Sequence, residues 1–449
     1  MQYVAAVSLA DTVTELCAGR LDLHAHVDAR LDRIEAVDPA LRALLPEPGR
    51  RARLHAAADA LLAGHPEAAG RPPLFGALVG VKDVLHVDGL PTAGGSRVPA
   101  EELAGHESAA VRSLRAAGAL VLGKTHTAEF AYAAPGPTRN PHDPARTPGG
   151  SSHGSAAGVA AGFFPLALGT QTIGSTIRPA AFCGVVGYVP TYGRIRTDGS
   201  LHVARSLDRI GLLASDVRGV ALAAAVLVES WHPVGGALLP VLGVAEGPFL
   251  EAVEPAAREL FERQVEALAA TGYQVRRLSV FEDAEEVAAS LRRLMNGELA
   301  REHADLFERY HDRYRPQTAG GIEQGRTVRD AQLEADRRAP LERRFQVESR
   351  RRAAGIDLWL TPAAPGPAPE GIAASGSPWL SLPWSYVGLP AATVPAGAVG
   401  GLPVGLQLVA GWHADEELLA WAADIAGKVG HLTIPSARQE AQPQSFTWY

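Results

Sequence analysis

The chain has 449 residues, 47% of them hydrophobic, which is enough apolar sequence to form a sizeable core. Its net charge of −7, with Arg350–Arg352 as the one basic cluster, argues against nucleic acid as the main ligand. Two distant cysteines, Cys17 and Cys183, exclude a disulfide framework, and the first residues lack the pattern of a signal peptide. We therefore expect a cytoplasmic protein.

The first part of the chain predicts helices followed by two buried strands. Apolar residues recur at helical spacing within residues 8–63. The apolar run 74–82 predicts a buried strand that ends at Lys82, and a predicted helix over 107–118 leads to a second strand over 119–123. This β–α–β order favours parallel pairing of the two strands.

An uncharged stretch follows, although charged residues make up 20% of the chain. No Asp, Glu, Lys or Arg occurs from Thr147 to Ile177, and most residues there are small. Such a composition indicates a buried backbone that passes close to other groups, with hydroxyls that need partners. Ser151 and Ser175 each follow a glycine in this stretch. Ser151, with Ser152, would also suit the N-cap of a helix.

Two other interpretations, a membrane helix in this stretch and a phosphate-binding loop before it, are weaker. Residues 154–177 are long and uncharged enough for a membrane helix, but several glycines, Pro165 and Gln171 argue against one. Upstream, Gly123-Lys124-Thr125 matches the end of a phosphate-binding loop, yet the earlier glycine of that motif is missing.

The second half of the chain predicts alternating strands and helices. In the middle region, residues 240–354, Gly320-Gly321 predicts a loop at the border of a pocket. Residues 385–409 predict a strand hairpin that turns at Gly400-Gly401, before a closing helix. We find neither a repeat nor a linker, so we predict one domain.

The use of lysine is unusual. The chain has 42 basic residues, but its only lysines are Lys82, Lys124 and Lys428. Arginine keeps its proton in proteins, whereas a buried lysine can lose it and act as a base. Lys82 ends a predicted buried strand and is therefore the candidate base. The alternative is a surface ion pair with Asp83 or Asp88.

Three motifs resemble those of the amidase signature family, the serine hydrolases that use a Ser–Ser–Lys triad. GVKD, PGGSSHGSA and GTQTIGSTIRPAAFCGVVG occur in the family's order, with its typical intervals of 69 and 24 residues between Lys82, Ser151 and Ser175. The resemblance implies an α/β fold, a single large domain with a central mixed, largely parallel β-sheet covered by helices on both sides. The domain would span residues 1–449, with a helical layer (8–63), a signature core (74–217), a variable specificity region (240–354) and a C-terminal core portion (357–427).

The resemblance also implies roles for individual residues. Ser175 would be the nucleophile, Ser151 a bridging serine on a cis peptide, and Lys82 the base. Backbone N–H groups of the turn Thr172, Ile173, Gly174 and Ser175 would form the oxyanion hole. Lysine must be neutral for this chemistry, so its surroundings should be apolar, and we expect the Asp83 side chain to point away from it.

Several positions depart from the family's usual motif. Ile173 replaces the first of two glycines before the nucleophile, and Gln171 replaces a common aspartate, but neither change should remove the N–H donors. Arg178 lies three residues after Ser175 instead of two, and it either clamps a substrate carboxylate or braces the turn. His153 stands where the family usually has Ser or Gly, and it is a candidate for the pocket.

Other pocket candidates come from the neighbouring segments. Tyr132 and the long loop 134–148 are expected to line the pocket, by resemblance, and Ser152 is a further candidate. His126 and His142 have no third ligand at a metal-binding spacing, so we expect structural roles for both and no metal site.

The resemblance implies an amidase that hydrolyses the C–N bond of a small-molecule amide through an acyl-enzyme, without a cofactor. Arg178 suggests an acid-bearing amide. The expected partner is this substrate, not nucleic acid or a membrane, and a homodimer stays open. Two alternatives remain: the catalytic subunit of a glutamine-dependent tRNA amidotransferase or another multi-subunit amidohydrolase, and a non-catalytic binding protein that keeps the fold. The intact set of Lys82, Ser151 and Ser175 argues against the latter.

Overall fold

The structure, a computed structural model, describes residues 3–235 and 238–434. Its strands join in one 11-stranded sheet. In chain order, the strands are β1 (Leu78–Lys82), β2 (Leu120–Thr125), β3 (Leu166–Gln171), β4 (Val186–Val189), β5 (Arg209–Ala214), β6 (Leu242–Glu246), β7 (Val275–Ser279), β8 (Leu358–Pro362), β9 (Ala391–Val399), β10 (Leu402–Ala410) and β11 (Thr433–Ile434).

Helices occur before, between and after the strands. In chain order, they are α1 (Leu9–Cys17), α2 (Leu23–Leu41), α3 (Arg50–Gly64), α4 (Ala109–Ala116), α5 (His153–Ala160), α6 (Ile177–Cys183), α7 (Val217–Leu227), α8 (Pro255–Ala270), α9 (Ala284–Glu302), α10 (Ala304–Tyr310), α11 (Pro316–Arg326), α12 (Asp330–Ala353), α13 (Leu382–Val387) and α14 (Asp415–Val429).

The sheet is mixed, with parallel pairs in its outer parts and antiparallel pairs in its middle. The strand order is β2-β1-β3-β5-β4-β9-β10-β8-β6-β7, with β11 beside β9. Strand β1 pairs in parallel with β2 and β3, and β6 pairs in parallel with β7 and β8. The pairs from β3 through β5, β4, β9 and β10 to β8 are antiparallel.

Alternating residues of the strands form two hydrophobic cores, one on each face of the sheet. On β1, Val79 and Val81 contribute to one core, while Leu78 contributes to the other. The first core includes residues of α4 and α7, and the second includes residues of α2, α3 and α5. The predicted α/β fold, with a mixed sheet covered by helices on both sides, is confirmed.

The prediction of a loop at Gly320-Gly321 is wrong, because both residues lie inside α11. A Cβ atom at Gly321 would lie 2.5 Å from the hydroxyl oxygen of Tyr132. One turn further on, a Cβ atom at Gly325 would lie 1.8 Å from the carbonyl oxygen of Asn296 on α9. These glycines therefore allow close packing of the helix and do not interrupt it.

The turn of the predicted hairpin is confirmed, but the first residues predicted for its first strand are helical. Strands β9 and β10 meet at Gly400-Gly401, as the sequence predicts. Ser385 and its neighbours up to Val387 belong to α13 instead of a strand, and a left-handed Gly388 ends that helix. The predicted domain also includes residues 435–449, which lie outside the described residues.

The uncharged stretch does not form one continuous helix. Residues 154–177 are divided between α5, β3 and the turn before α6, so the alternative of a membrane helix is wrong. Among residues 3–235 and 238–434, no helix combines the length and the apolar character that crossing a membrane requires.

Candidate active site

Lys82 lies at the end of β1 inside a cluster of hydroxyl groups. Its side chain is fully buried, and β1 lies beside β3, so that the carboxyl ends of both strands meet. The Nζ atom lies 2.7 Å from Ser151 Oγ, 3.0 Å from Ser152 Oγ and 2.7 Å from Thr170 Oγ1. All three partners are uncharged, so the amine has hydrogen-bond partners without a direct ion pair.

Burial determines the protonation of this amine. Loss of hydration lowers the pKa of Lys82 well below its usual value, while the negative charge of Asp208 acts in the opposite direction. The side chain of Asp83 points away from Lys82, as predicted, and its Oδ1 lies 2.8 Å from Lys124 Nζ. The alternative interpretation, a surface ion pair between Lys82 and Asp83, is therefore wrong.

The segment that carries Ser151 approaches α6 closely. Gly149 has a φ of +84°, and a Cβ atom there would lie 2.8 Å from Pro179 Cα, so the position requires glycine. The peptide bond between Gly150 and Ser151 is cis. Ser152 is the N-cap residue of α5, but its side chain makes no capping hydrogen bond. The hydroxyls of Ser151 and Ser152 instead contact Lys82.

Ser175 lies beside the two other serines. The N–H of Ser152 donates to the carbonyl oxygen of Ser175 at 3.2 Å, which brings the turn before α6 against the Ser151 segment. Within the described part of the chain, the Ser175 hydroxyl makes no hydrogen bond. The hydrogen bond from Lys82 to Ser151 is thus formed, whereas none between the Ser151 and Ser175 hydroxyls is formed in the described residues.

The turn before Ser175 presents unused N–H groups. In the described residues, the N–H groups of Ile173, Gly174 and Ser175 donate to no acceptor. Two side chains from distant parts of the chain hold this turn. Thr172 Oγ1 donates to Asp208 Oδ1 at 2.6 Å, and Ser385 Oγ donates to the carbonyl oxygen of Ile173 at 2.9 Å.

Gln171 connects the turn to the start of α6. Its Oε1 accepts from the N–H groups of Thr176 and Ile177 at 2.9 and 3.0 Å, and its Nε2 donates to Ser385 Oγ at 2.9 Å. An amide can do both because it carries an acceptor and two donors. A carboxylate at this position would leave the Ser385 hydroxyl as the donor of that contact, and Ser385 already donates to Ile173.

A sequence model of the amidase family, described as "Amidase", matches residues 25–419. One subunit of the glutamyl-tRNA(Gln) amidotransferase from Thermus thermophilus is 35% identical over 460 aligned residues, covering 91% of this chain and 94% of that protein.

The chain belongs to the amidase family.

Solved structures agree with this assignment. A crystal structure of an amidase has a TM-score of 0.84 and 32% identity, covering 94% of this chain and all of the other. The native peptide amidase from Stenotrophomonas maltophilia has a TM-score of 0.79 and 25% identity, covering 95% of this chain and 98% of the other. The protein is therefore a hydrolase that acts on C–N bonds.

In this amidase, Arg178 is a buried residue that holds the segment before Ser151. It is 1% exposed, and its Nη2 donates to the carbonyl oxygen of Gly150 at 2.7 Å and to Ser375 Oγ at 3.2 Å. Of the two alternatives for Arg178, this geometry supports the brace, because the guanidinium binds the peptide bond that precedes Ser151.

His153 contacts the loop 134–148 through both nitrogens of its ring. Its Nε2 accepts from the N–H of Gly136 at 3.2 Å, and its Nδ1 lies 3.0 Å from Thr138 Oγ1. Burial lowers the pKa of His153 well below its usual value, which fits a neutral ring. The ring is buried and both nitrogens are engaged, and a place for His153 in the pocket stays a prediction.

Ser152 and Tyr132 also have defined contacts. Ser152 Oγ donates to the carbonyl oxygen of Thr170 at 3.1 Å besides contacting Lys82, so it belongs to the surroundings of the lysine. The Tyr132 hydroxyl donates to Asn296 Oδ1 on α9 at 2.7 Å. Among the described residues, no group of three His, Cys, Asp or Glu side chains is placed to hold a metal ion.

Sequence reasoning missed three residues that contact the site, namely Thr170, Asp208 and Ser385. Thr170 lies in the uncharged stretch that drew attention to the serines, but nothing in the sequence separates its hydroxyl from those of its neighbours. Asp208 lies directly before the buried strand β5, and an acid at that position is a usable signal. Ser385 carries no local signal, because its partner Ile173 is 212 residues away.

The first prediction concerns the pH dependence of stability. Folded Lys82 is neutral between its lowered pKa and about 10.4, the usual lysine value, whereas the unfolded chain binds a proton there. In that window, the free energy of unfolding should rise with pH by up to about 1.4 kcal/mol per pH unit from this residue. Lys82→Met should remove this contribution, as measured by urea unfolding at several pH values.

Lys428→Met is the matched control, because Lys428 lies on α14 and pairs with Asp424. In this variant, the free energy of unfolding should rise with pH as steeply as in the native protein. An unchanged slope in Lys82→Met would contradict a neutral Lys82.

The second prediction concerns the turn. Ser385→Ala removes the donor to the Ile173 carbonyl and should lower kcat about tenfold, equivalent to about 1.4 kcal/mol, with little change in KM. Ser381→Ala is the control, because Ser381 is the N-cap residue of the same helix, α13, but its buried hydroxyl has no partner in the described residues. An equal loss of kcat in both variants would argue for a general effect on α13, and Ser385→Thr should retain activity.

Proposed function

We propose that this amidase hydrolyses the C–N bond of a small-molecule amide through an acyl-enzyme on Ser175, with Lys82 as the base and Ser151 as the bridge between them. The observation that carries the proposal is a fully buried lysine with its Nζ 2.7 Å from Ser151 Oγ. A serine hydroxyl is a weak nucleophile and needs such a base within hydrogen-bond reach, directly or through a bridging group.

The proposed reaction begins with two proton transfers. Neutral Lys82 takes the proton of Ser151, Ser151 takes the proton of Ser175, and Ser175 Oγ attacks the amide carbonyl. The same relay, run in reverse, protonates the leaving nitrogen, and the C–N bond breaks. Water then attacks the acyl-enzyme, giving up a proton to the relay, and the acid product leaves with Ser175 restored.

Charge on the tetrahedral oxygen would be stabilised by the turn before Ser175. The free N–H groups of Ile173, Gly174 and Ser175 support this role, and one such donor typically contributes about 3 kcal/mol. Asp208 and Ser385 hold the turn through Thr172 and Ile173, so these donors need little rearrangement during the reaction.

The acid-bearing amide that Arg178 suggested from the sequence has lost its support, because that guanidinium contacts Gly150 and Ser375. We therefore propose a small amide without specifying its charge. A cytoplasmic location and a homodimer stay predictions.

A second function is favoured by the comparison with the amidotransferase from Thermus thermophilus, whose matching subunit covers 91% of this chain at 35% identity. In this alternative, the chain is the catalytic subunit of a glutamine-dependent amidotransferase. The same serine would release ammonia from glutamine, and partner chains would use it. The proposed chemistry at Lys82, Ser151 and Ser175 is common to both functions, so the two differ in substrate and in the need for partners.

The third prediction tests the nucleophile. A fluorophosphonate probe should label Ser175, and peptide mass spectrometry should locate the label. Ser175→Ala should abolish labelling and lower kcat by roughly 10⁴-fold or more. Ser215→Ala, whose hydroxyl donates to the carbonyl oxygen of Val7, should keep both. Labelling at another serine of the folded protein would reject the mechanism.

The fourth prediction separates the two functions. The purified chain alone should release ammonia or amine from at least one small amide in a broad panel, including glutamine. The stand-alone function predicts turnover without partners and a preference for an amide other than glutamine. If glutamine is the only amide that is hydrolysed, and if its hydrolysis requires added partner subunits, the amidotransferase function is favoured instead.

A further inference from the structure

A cleft of about 410 Å³ lies between α9, α11 and the start of α12. Its lining residues include Arg292, Arg293 and Arg329, together with the side-chain amides of Asn296, Gln324 and Gln332. The lining contains no aspartate or glutamate among the described residues. The volume is within the usual range of small-molecule sites.

One of the three arginines, Arg293, is held in place by a buried carboxylate. Arg293 Nε and Nη2 donate to the two carboxylate oxygens of Asp336 at 3.1 and 2.8 Å. Asp336 is 3% exposed, whereas the Arg293 side chain is 45% exposed. The buried carboxylate thus fixes the guanidinium while one of its edges still faces the cleft and solvent.

The amide of Gln324 is oriented as a donor. Its Oε1 accepts from Asn296 Nδ2 at 3.1 Å, and Asn296 Oδ1 in turn accepts from the Tyr132 hydroxyl at 2.7 Å. With its oxygen engaged, Gln324 offers the cleft its NH₂ group. The cleft therefore has hydrogen-bond donors in its wall in addition to positive charge.

The charge in the cleft is only partly neutralised. Arg329 is exposed, and its guanidinium makes no hydrogen bond or ion pair within the described part of the chain. The nearby acids Asp330 and Asp336 pair with Arg301 and Arg293. Planar guanidinium groups bind carboxylate and phosphate oxygens through two parallel hydrogen bonds.

We propose that this cleft is a binding site for a small polyvalent oxyanion, either a polycarboxylate or a phosphate ester, separate from the site around Lys82. Arg293, held by Asp336, and the unpaired Arg329 supply the charge, and Gln324 supplies a neutral donor. The site would bind the anion whether or not the proposed hydrolysis occurs.

Titration calorimetry of the full chain tests this site with citrate and with inorganic phosphate, against sodium chloride at equal ionic strength. At least one of the two anions should bind with one site per chain, and chloride should not. Citrate alone would identify a carboxylate site, and phosphate alone a phosphate site. Arg329→Ala should weaken binding about tenfold, and Arg329→Glu should abolish it.

Arg338→Ala is the matched control, because Arg338 also lies on α12, is 73% exposed and pairs with Glu334 outside the cleft lining. It should bind like the native protein. Equal weakening in Arg329→Ala and Arg338→Ala would show general charge screening and overturn the proposal, as would the absence of binding of both anions to the native chain. Hydrolysis plays no part in this measurement.

Discussion

The arrangement of the site depends on a lysine that is removed from water without receiving a carboxylate partner. An ammonium buried in this way would be costly, so the buried group is stable as a neutral amine. Hydroxyl groups suit such an amine because each can donate to it or accept from it. Ser151, Ser152 and Thr170 provide this surrounding for Lys82, and the nearest acid of the motif, Asp83, is held by Lys124. The neutral amine can then serve as a base.

The fold brings together the groups around this lysine from separate parts of the chain. Parallel pairing of β1 with β3 places Lys82 beside Thr170. The antiparallel middle of the sheet brings the segments before β5 and β9 to the same turn, where Asp208 holds Thr172 and Ser385 holds Ile173. Gln171 connects this turn to the start of α6, and Arg178 holds the Gly150 carbonyl before Ser151. The turn is therefore held by side chains on several sides, which suits a site that must keep N–H donors in a fixed direction.

The sequence predicted the parts of this arrangement that leave a local signal. The order and spacing of the motifs pointed to Lys82, Ser151 and Ser175, and short apolar runs such as residues 74–82 predicted buried strands. Prediction from the sequence failed where the conformation or role of a residue depends on contacts with residues far away in the chain. The sequence predicts a loop at Gly320-Gly321, but both residues are helical, and the missing side chain of Gly321 allows close packing against Tyr132. The contacts of both His153 nitrogens with the loop 134–148 leave no local pattern in the sequence. Ser385 left no signal, since its role depends on the packing of α13 against a turn 212 residues away.

The proposed chemistry requires that Lys82 is neutral in the folded protein at physiological pH. Because the chain has only three lysines, ¹³C labelling of lysine should give three Cε signals that can be followed by NMR during a pH titration. Lys82→Met would identify the signal of Lys82 by its loss. This signal should titrate well below about 10.4, the usual lysine value. A Lys82 signal that titrates at or above that value in the folded protein would show that the buried lysine is charged and cannot act as the base.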